Sequence, residues 1–371
     1  MGRDNNFDFL RLIAAIIVVF HHNMIYSILP TVFGIVPVSN IDFGFLGVMT
    51  FYVISGYLIA GSWDNRENAL KFLSARILRV VPGLIMVSLF TILIIGPLLT
   101  SLSLNEYFSK NPWPYLSIAC IIYIPGPTLP GVILPSYIGN SGINIPLWII
   151  PFLFKSYLLL FALGVLGALK DKRILLFVFV LGAYVAFYTK GVFSATLVTY
   201  TSVVFNFFSW LGIRSLLVSL FVFENDYPLF FLMGTLMYYY RDSIKYDRNS
   251  ALVLFVLWIL SSYTYFWLPV SIFLLPYVVL TLAHIRIPFV HNVGSLFGDL
   301  SYGIYIFAFP IQMVVFKYFG VNRLNYDFLA FLLNMILVLP VAYISWHYVE
   351  SRALKLKDLD FSGFARFFVL V

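Results

Sequence analysis

Apolar residues run along this chain in stretches near the twenty that cross a bilayer as a helix, broken at charged, proline or glycine positions. Read between those breaks, the pattern predicts spans at 9–29, 44–63, 77–100, 147–169, 173–189, 227–240, 250–264, 267–284, 297–317 and 328–348. Two further apolar stretches fit a span less well. Residues 113–125, within "NPWPYLSIACIIYIPGP", are short and bracketed by proline. They read as a re-entrant or interfacial piece, since irregular backbone at membrane depth survives only when buried in protein. Residues 192–222 read as another partly embedded segment. The expected fold is an all-α polytopic membrane protein of about ten transmembrane helices.

Composition strengthens that picture and charge orients it. Hydrophobic residues make up 61% of the 371 and charged residues 11%, against roughly 25% charged in a soluble domain. Ten crossings put both termini on one side. With that side cytoplasmic, seventeen of the 23 Lys and Arg residues lie inside. Only Lys110, Lys190, Arg214, Lys317 and Arg323 lie outside, and Lys155 falls within a span. This is the inside bias of cationic loops, and it accounts for the net charge of +7 without a nucleic-acid partner. The first run carries charge and lacks a small-residue cleavage site, so it reads as a span and not a secretory signal. No internal repeat of the transporter type and no appended soluble domain is visible. The organisation expected is one transmembrane domain, 1–357, and a short cytoplasmic tail, 358–371. The single cysteine, Cys120, excludes an internal disulfide and a cysteine metal cluster.

Candidate chemistry starts in the first span, "NNFDFLRLIAAIIVVFHHNMIY" (5–26), which holds Asp8, Arg11, His21 and His22. Arg11 and His22 are eleven residues apart, so they project from one helix face, about 20° beyond three full turns and about 16 Å along the axis. Two readings are open. The row is an anchor at one interface and a capped histidine at the other, or it faces a polar cavity with a fixed cation below a general base. Next, "FGFLGVMTFYVISGYLIAGSW" (43–63) carries glycines that suit close helix packing. Then "NALKFLSARILRVVPG" (68–83) sets Arg76 and Arg79 three residues apart at the start of a span. Such a pair is either positive-inside charge or a fork for phosphates.

In this order the motifs resemble the acyltransferase 3 family of integral-membrane acyltransferases. The set is R-x10-H (Arg11, His22), "GVMTFYVISGYLI", and R-x-x-R (Arg76, Arg79) followed by Pro82. It continues with "YPLFFLMGTLMYYYRDSI" (227–244), "GDLSYGIYIFAFPIQ" (298–312) and "YISWHYVESRALKLK" (343–357). The likeness is greatest to the branch that acetylates O-antigen, exopolysaccharide or related surface glycans. It implies a multi-pass enzyme of the bacterial inner membrane that moves an acyl group, acetyl by default, from cytoplasmic acyl-CoA to a glycan hydroxyl. Acyl-CoA is then a donor substrate, with no permanently bound cofactor and no metal. By the same resemblance His22 is the catalytic histidine with Arg11 its companion, and Arg76 and Arg79 contact the donor. Asn144, Trp148, Tyr305 and Glu350 recur as acceptor or structural positions. His21 has the place of a variable neighbour.

The resemblance has one marked departure. In "NIPLWIIPFLFKSYLLL" (144–160) Ile149 stands where the branch usually has Thr, and Leu153 where it usually has Glu. Losing that carboxylate leaves Lys155 without its nearest acid and raises the alternative of a catalytically impaired homologue. A lipid-linked glycan flippase, with intramembrane Arg and His gating a path, is the other alternative. His284 and His291, flanking Arg286 in an inner loop, have poor metal-site spacing, and His347 beside Trp346 and Tyr348 reads as interfacial.

Overall fold

The computed structural model describes residues 5–25, 42–65, 69–120, 128–133, 142–189, 226–285, 297–319 and 327–358, with 287, 290 and 294. The segment expected at 192–222, residues 121–125 of the proline-bracketed piece, residues 359–371 of the tail, His291, and the loop cations Arg66, Lys190, Arg214, Arg286 and Arg323 lie outside the described residues.

Helices stand where the ten spans are expected. They are α1 (Phe7–Ile25), α2 (Phe43–Asp64), α3 (Ala69–Phe90, continued to Leu99), α5 (Ile149–Val165), α6 (Lys172–Thr189), α7 (Tyr227–Tyr239), α8 (Arg248–Ser261), α9 (Trp267–His284), α10 (Ser301–Phe319) and α11 (Asp327–Ser345, continued to Lys355). A short helix, α4 (Leu104–Ser109), follows α3. Among the described residues, six helices are long and apolar enough to cross a membrane: Phe43–Asp64, Ala69–Leu99, Ile145–Val165, Trp267–His284, Ser301–Phe319 and Phe328–Lys355. The piece at Trp113–Cys120 is a 3-10 helix. Two boundaries differ from expectation in a way that matters. Helix α3 begins at Ala69, not 77, so Arg76 and Arg79 are helical residues with both neighbouring turns formed. His284 closes α9 and is not a loop residue: its Nδ1 donates to Leu280 O at 2.7 Å, and Tyr57 Oη donates to its Nε2 at 3.2 Å.

The chain divides into two compact units, residues 1–65 with 148–296, and residues 66–147 with 297–371. In the first unit α2 packs most extensively on α7 and α1. Its glycines explain how. A Cβ on Gly56 would lie 2.0 Å from Phe231 O, and one on Gly234 of α7 would lie 2.3 Å from Val53 O. The two helices therefore meet backbone to backbone, and Thr235 Oγ1 donates to Gly56 O at 3.2 Å across the crossing. Gly47 does the same for α1, where a Cβ would come within 2.7 Å of Ala14 O. Lipid tails are as apolar as Leu, so such close approach and interhelical hydrogen bonds supply the attraction. Asn6, buried at 1% exposure, anchors the start of α1 by donating from Nδ2 to Leu282 O and Ile285 O at 2.8 and 2.6 Å.

The second unit is built on α3, α10 and α11, and two π turns shape it. One spans Thr91–Ile95 in α3, where Gly96 N–H bonds Thr91 O. The local break in the i→i−4 ladder leaves Ile92 O to accept from the buried Tyr107 Oη at 2.9 Å, which ties α4 to α3. The other spans Trp346–Glu350 in α11, with Ser351 N–H on Trp346 O. Single π turns of this kind re-aim side chains and concentrate at functional sites.

A methyl group at Gly56 collides with backbone, whereas at Gly61 it meets the edge of the Tyr238 ring at 2.9 Å. Gly56→Ala is expected to lose about 1–3 kcal/mol, the usual range for overpacking, and Gly61→Ala less. Thermal unfolding midpoints of the two variants in one detergent check the order.

Candidate active site

His22 lies in the last turn of α1 and is half-buried. Its Nδ1 is 2.8 Å from Val18 O, four residues back on the same helix. A carbonyl can only accept, so Nδ1 carries the hydrogen and the neutral ring keeps its lone pair on Nε2. The helix itself sets the tautomer a general base needs.

His21 is more than a neighbour. Its Nδ1 is 3.0 Å from Asp42 Oδ1, and its ring meets that of His22 edge to face at 5.3 Å between centroids. Asp42 is the N-cap of α2, accepting from Gly44 N and Phe45 N at 2.7 and 3.2 Å. A carboxylate and two imidazoles thus meet where α1 ends and α2 begins. Sequence reasoning passed over Asp42, although an Asp directly ahead of an apolar run is a helix-start signal.

At the other end of α1, Arg11 Nη2 donates to Asp8 Oδ1 at 2.7 Å, an i, i+3 pair. The R-x10-H row therefore has a carboxylate near each end.

The positions expected as acceptor or structural residues are divided between the two units. Asn144, Tyr305 and Glu350 belong to the second unit and Trp148 to the first. Asn144 Nδ2 donates to Ile306 O at 2.8 Å and Tyr305 Oη to Pro146 O at 2.5 Å. Both side chains are buried, and together they clasp the 144–146 turn onto α10. Trp148 packs against Phe152 and Tyr227, with centroids 5.9 Å away in each case. Leu153 is half-buried on α5, and Lys155, exposed, sets its Nζ 5.2 Å over the Phe152 ring. Residues two apart point to different sides of a helix, so the loss of an acid at 153 does not orphan Lys155, contrary to the sequence expectation.

Arg76 and Arg79 lie in the second unit on α3. The Arg76 guanidinium stands over the Phe72 ring at 5.7 Å. Arg79 donates from Nη2 to Asp299 Oδ2 at 2.6 Å, with Glu350 Oε2 at 3.9 Å from Nη1. Glu350, given no step by its sequence context, is thereby joined to a predicted site residue.

Comparison with known proteins identifies the family. Residues 4–347 match a family model described as an acyltransferase domain. The chain is 29% identical over 365 residues to a protein of Shigella phage Sf6 named O-acetyl transferase, covering 95% of this chain and 97% of that one. It is 37% identical over 83 residues to nodulation protein 10 of Rhizobium leguminosarum bv. viciae, covering 22% of this chain and 23% of that one. No solved structure matches. With the family model spanning nearly the whole chain, the protein belongs to the acyltransferase 3 family.

Proposed function

We propose that the protein is a membrane O-acetyltransferase, moving an acetyl group from cytoplasmic acetyl-CoA to a hydroxyl of a cell-surface or lipid-linked glycan in the bacterial inner membrane. The observation that carries the reading is the fixed His22 tautomer in a chain alignable end to end with a phage O-acetyl transferase. Imidazole titrates near neutrality, which suits it to take a hydroxyl proton as the new C–O bond forms. In the step proposed, His22 Nε2 accepts that proton while the acceptor oxygen attacks the thioester carbonyl. The carbon–sulfur bond breaks, and the leaving thiolate takes the proton back from the imidazolium. An acyl group held transiently on His22 would reach the same products in two transfers. Asp42, through His21, orients the pair of rings. The Arg76–Arg79 pair of α3 is assigned to the donor, because a guanidinium holds phosphates without titrating.

Leu153 supports one second reading, an impaired homologue. No observation on the fold favours a flippase, and acyl-CoA consumption separates that class from a transferase.

His22→Ala is expected to abolish acetylation at unchanged membrane levels, read as loss of the acetyl mass increment on surface glycans of a complemented host. Persisting acetylation would remove His22 from the mechanism. Asp42→Asn keeps the cap's acceptor oxygen but not its charge, and should lower turnover about 10-fold or more, the range of general-base contributions and their supporting groups. Equal rates in Asp42→Asn and wild type would confine Asp42 to capping α2. Leu153→Glu should raise turnover if the chain is impaired, and a rate at or below wild type would dispose of that reading.

A further inference from the structure

Lys155 is a cation that the proposed transfer does not use. It stands at the centre of the 21-residue span Ile145–Val165, and it is exposed. Half a span is about 15 Å, farther than a lysine stem can snorkel. Among the described residues its ammonium meets no carboxylate, and its neighbour is the Phe152 ring, with Nζ 5.2 Å from the centroid. Leu153 is not the cause, since it points to another side of α5. A ring returns less than an ammonium loses in hydrocarbon. An intramembrane cation of this kind marks a place where a polar partner comes.

The rest of that side of α5 indicates what carries the partner. Toward the C-terminus Leu158, Ala162 and Val165 follow at helical spacing and are exposed too, Leu158 at 39% and Val165 at 58%, which makes an apolar strip. Toward the N-terminus come Phe152 and then Trp148 at the N-cap, about 10 Å from Lys155 along the axis. From there the rings leave the helix. Trp148 meets Phe152 and Tyr227 at 5.9 Å each, and Tyr227 meets Phe45 at 5.2 Å. Phe45 N–H donates to Asp42, whose carboxylate holds His21 beside His22. All of these residues belong to the first unit. Neither Trp148 Nε1 nor Tyr227 Oη makes a hydrogen bond among the described residues.

Apolar strip, cation and rings follow one another in the order of a polyprenyl tail, a phosphate and sugars. Side chains on a helix lean toward its N-terminus, so Lys155 reaches to the ring end, as its place over Phe152 shows. An ammonium is a compact charge suited to phosphate. Trp and Tyr pair an apolar face, which suits the C–H side of a pyranose, with an N–H or O–H that suits its hydroxyls. We propose that Lys155 binds the phosphate of a lipid-linked glycan acceptor, whose tail lies along Leu158, Ala162 and Val165 and whose sugars pass over Trp148 and Tyr227 toward His22. The acceptor's part rests on the acetyl-transfer reading above, whereas the phosphate site at Lys155 does not.

The test uses full-length protein in phosphatidylcholine nanodiscs. Binding is measured first, with no donor present, for a polyprenyl diphosphate and for the same polyprenol without phosphate. Wild type should prefer the diphosphate about tenfold or more, the worth of one charge-assisted contact. Lys155→Met, similar in length and uncharged, should lose that preference at a thermal midpoint no lower than wild type, and Lys155→Arg should keep it. Acetyl transfer from labelled acetyl-CoA is then measured to a host glycan on its polyprenyl diphosphate carrier and to the same glycan released by mild acid. Lys155→Met should raise KM for the linked form about tenfold, leaving kcat and the released form unchanged. Trp148→Phe, with a smaller ring and no N–H, should raise KM for both forms about threefold. The proposal falls if wild type binds polyprenol and diphosphate alike, or if Lys155→Met keeps the preference. Equal losses on the two glycan forms in Lys155→Met also overturn it, because the phosphate is then not what Lys155 reads. Displacement of the diphosphate by phosphatidylglycerol at equal concentration makes this a site for bilayer headgroups and removes the acceptor. Unchanged KM in Trp148→Phe returns that ring to packing and removes the path for sugars. Wild-type protein that binds the diphosphate but acetylates neither glycan sinks the transferase reading and the acceptor with it, while the binding measurement still decides the phosphate site.

Discussion

A cation or imidazole carried on an apolar helix is costly unless a counter-charge or a carbonyl meets it, and Arg11, His21, His22 and Arg79 are each met in that way. Arg11 has Asp8, His21 has Asp42, and Arg79 has Asp299 and Glu350. His22 has the Val18 carbonyl. With 16 carboxylates in 371 residues, setting four of them against these groups is a large commitment. Burying two opposite charges gains little over an apolar pair, so stability alone is a weak reason for it. What pairing secures is direction: each guanidinium or ring is oriented by its partner, and Asp42, Asp299 and Glu350 are themselves hydrogen-bonded.

The partners stay in place because the backbone around them is packed without slack. In the first unit, Gly56 and Gly234 let α2 and α7 touch along their main chains, and Gly47 brings α1 within reach of α2. That contact carries the end of α1 to the start of α2, where Asp42 finds His21. In the second unit the same end is reached differently. The π turns of α3 and α11 each break the regular ladder once, and the changed geometry is put to use, by Tyr107 on Ile92 O in one case and by Ser345 with Glu350 in the other.

Much of this was legible in the sequence where a local rule applies. Apolar run length placed the helices, and an eleven-residue spacing marked Arg11 and His22 as one face. Even the Asp8–Arg11 pair follows from i, i+3 proximity. What could not be read is set by separation and by irregular backbone. Arg79 and Asp299 are 220 positions apart, and no periodicity links them. Glu350 could be placed on a helix but not aimed, because α-helical spacing points it away from Ser345 and only a π turn reverses that. The boundary of α3 was missed for a related reason: its first turns hold Lys71 and Arg76, which a hydropathy reading counts as loop. Asn144 and Tyr305, which resemblance marked as acceptor or structural positions, clasp a turn onto α10 through backbone carbonyls that no local rule points to.

The manner in which His22 is held bears on how the proposed transfer runs. In a triad the base is oriented by a carboxylate, which also stabilises the imidazolium. Here the orienting group is a carbonyl of the same helix, one turn below. It cannot swing away without opening that turn, so the tautomer is preorganised at no cost during reaction. A carbonyl dipole stabilises a positive ring less than a full charge does. The Asp42 carboxylate reaches it through a second ring, by way of His21. A base so arranged favours passing its proton on promptly over storing it. For an acyl transfer in which the leaving thiolate needs that proton as the hydroxyl loses it, a short-lived imidazolium is an advantage.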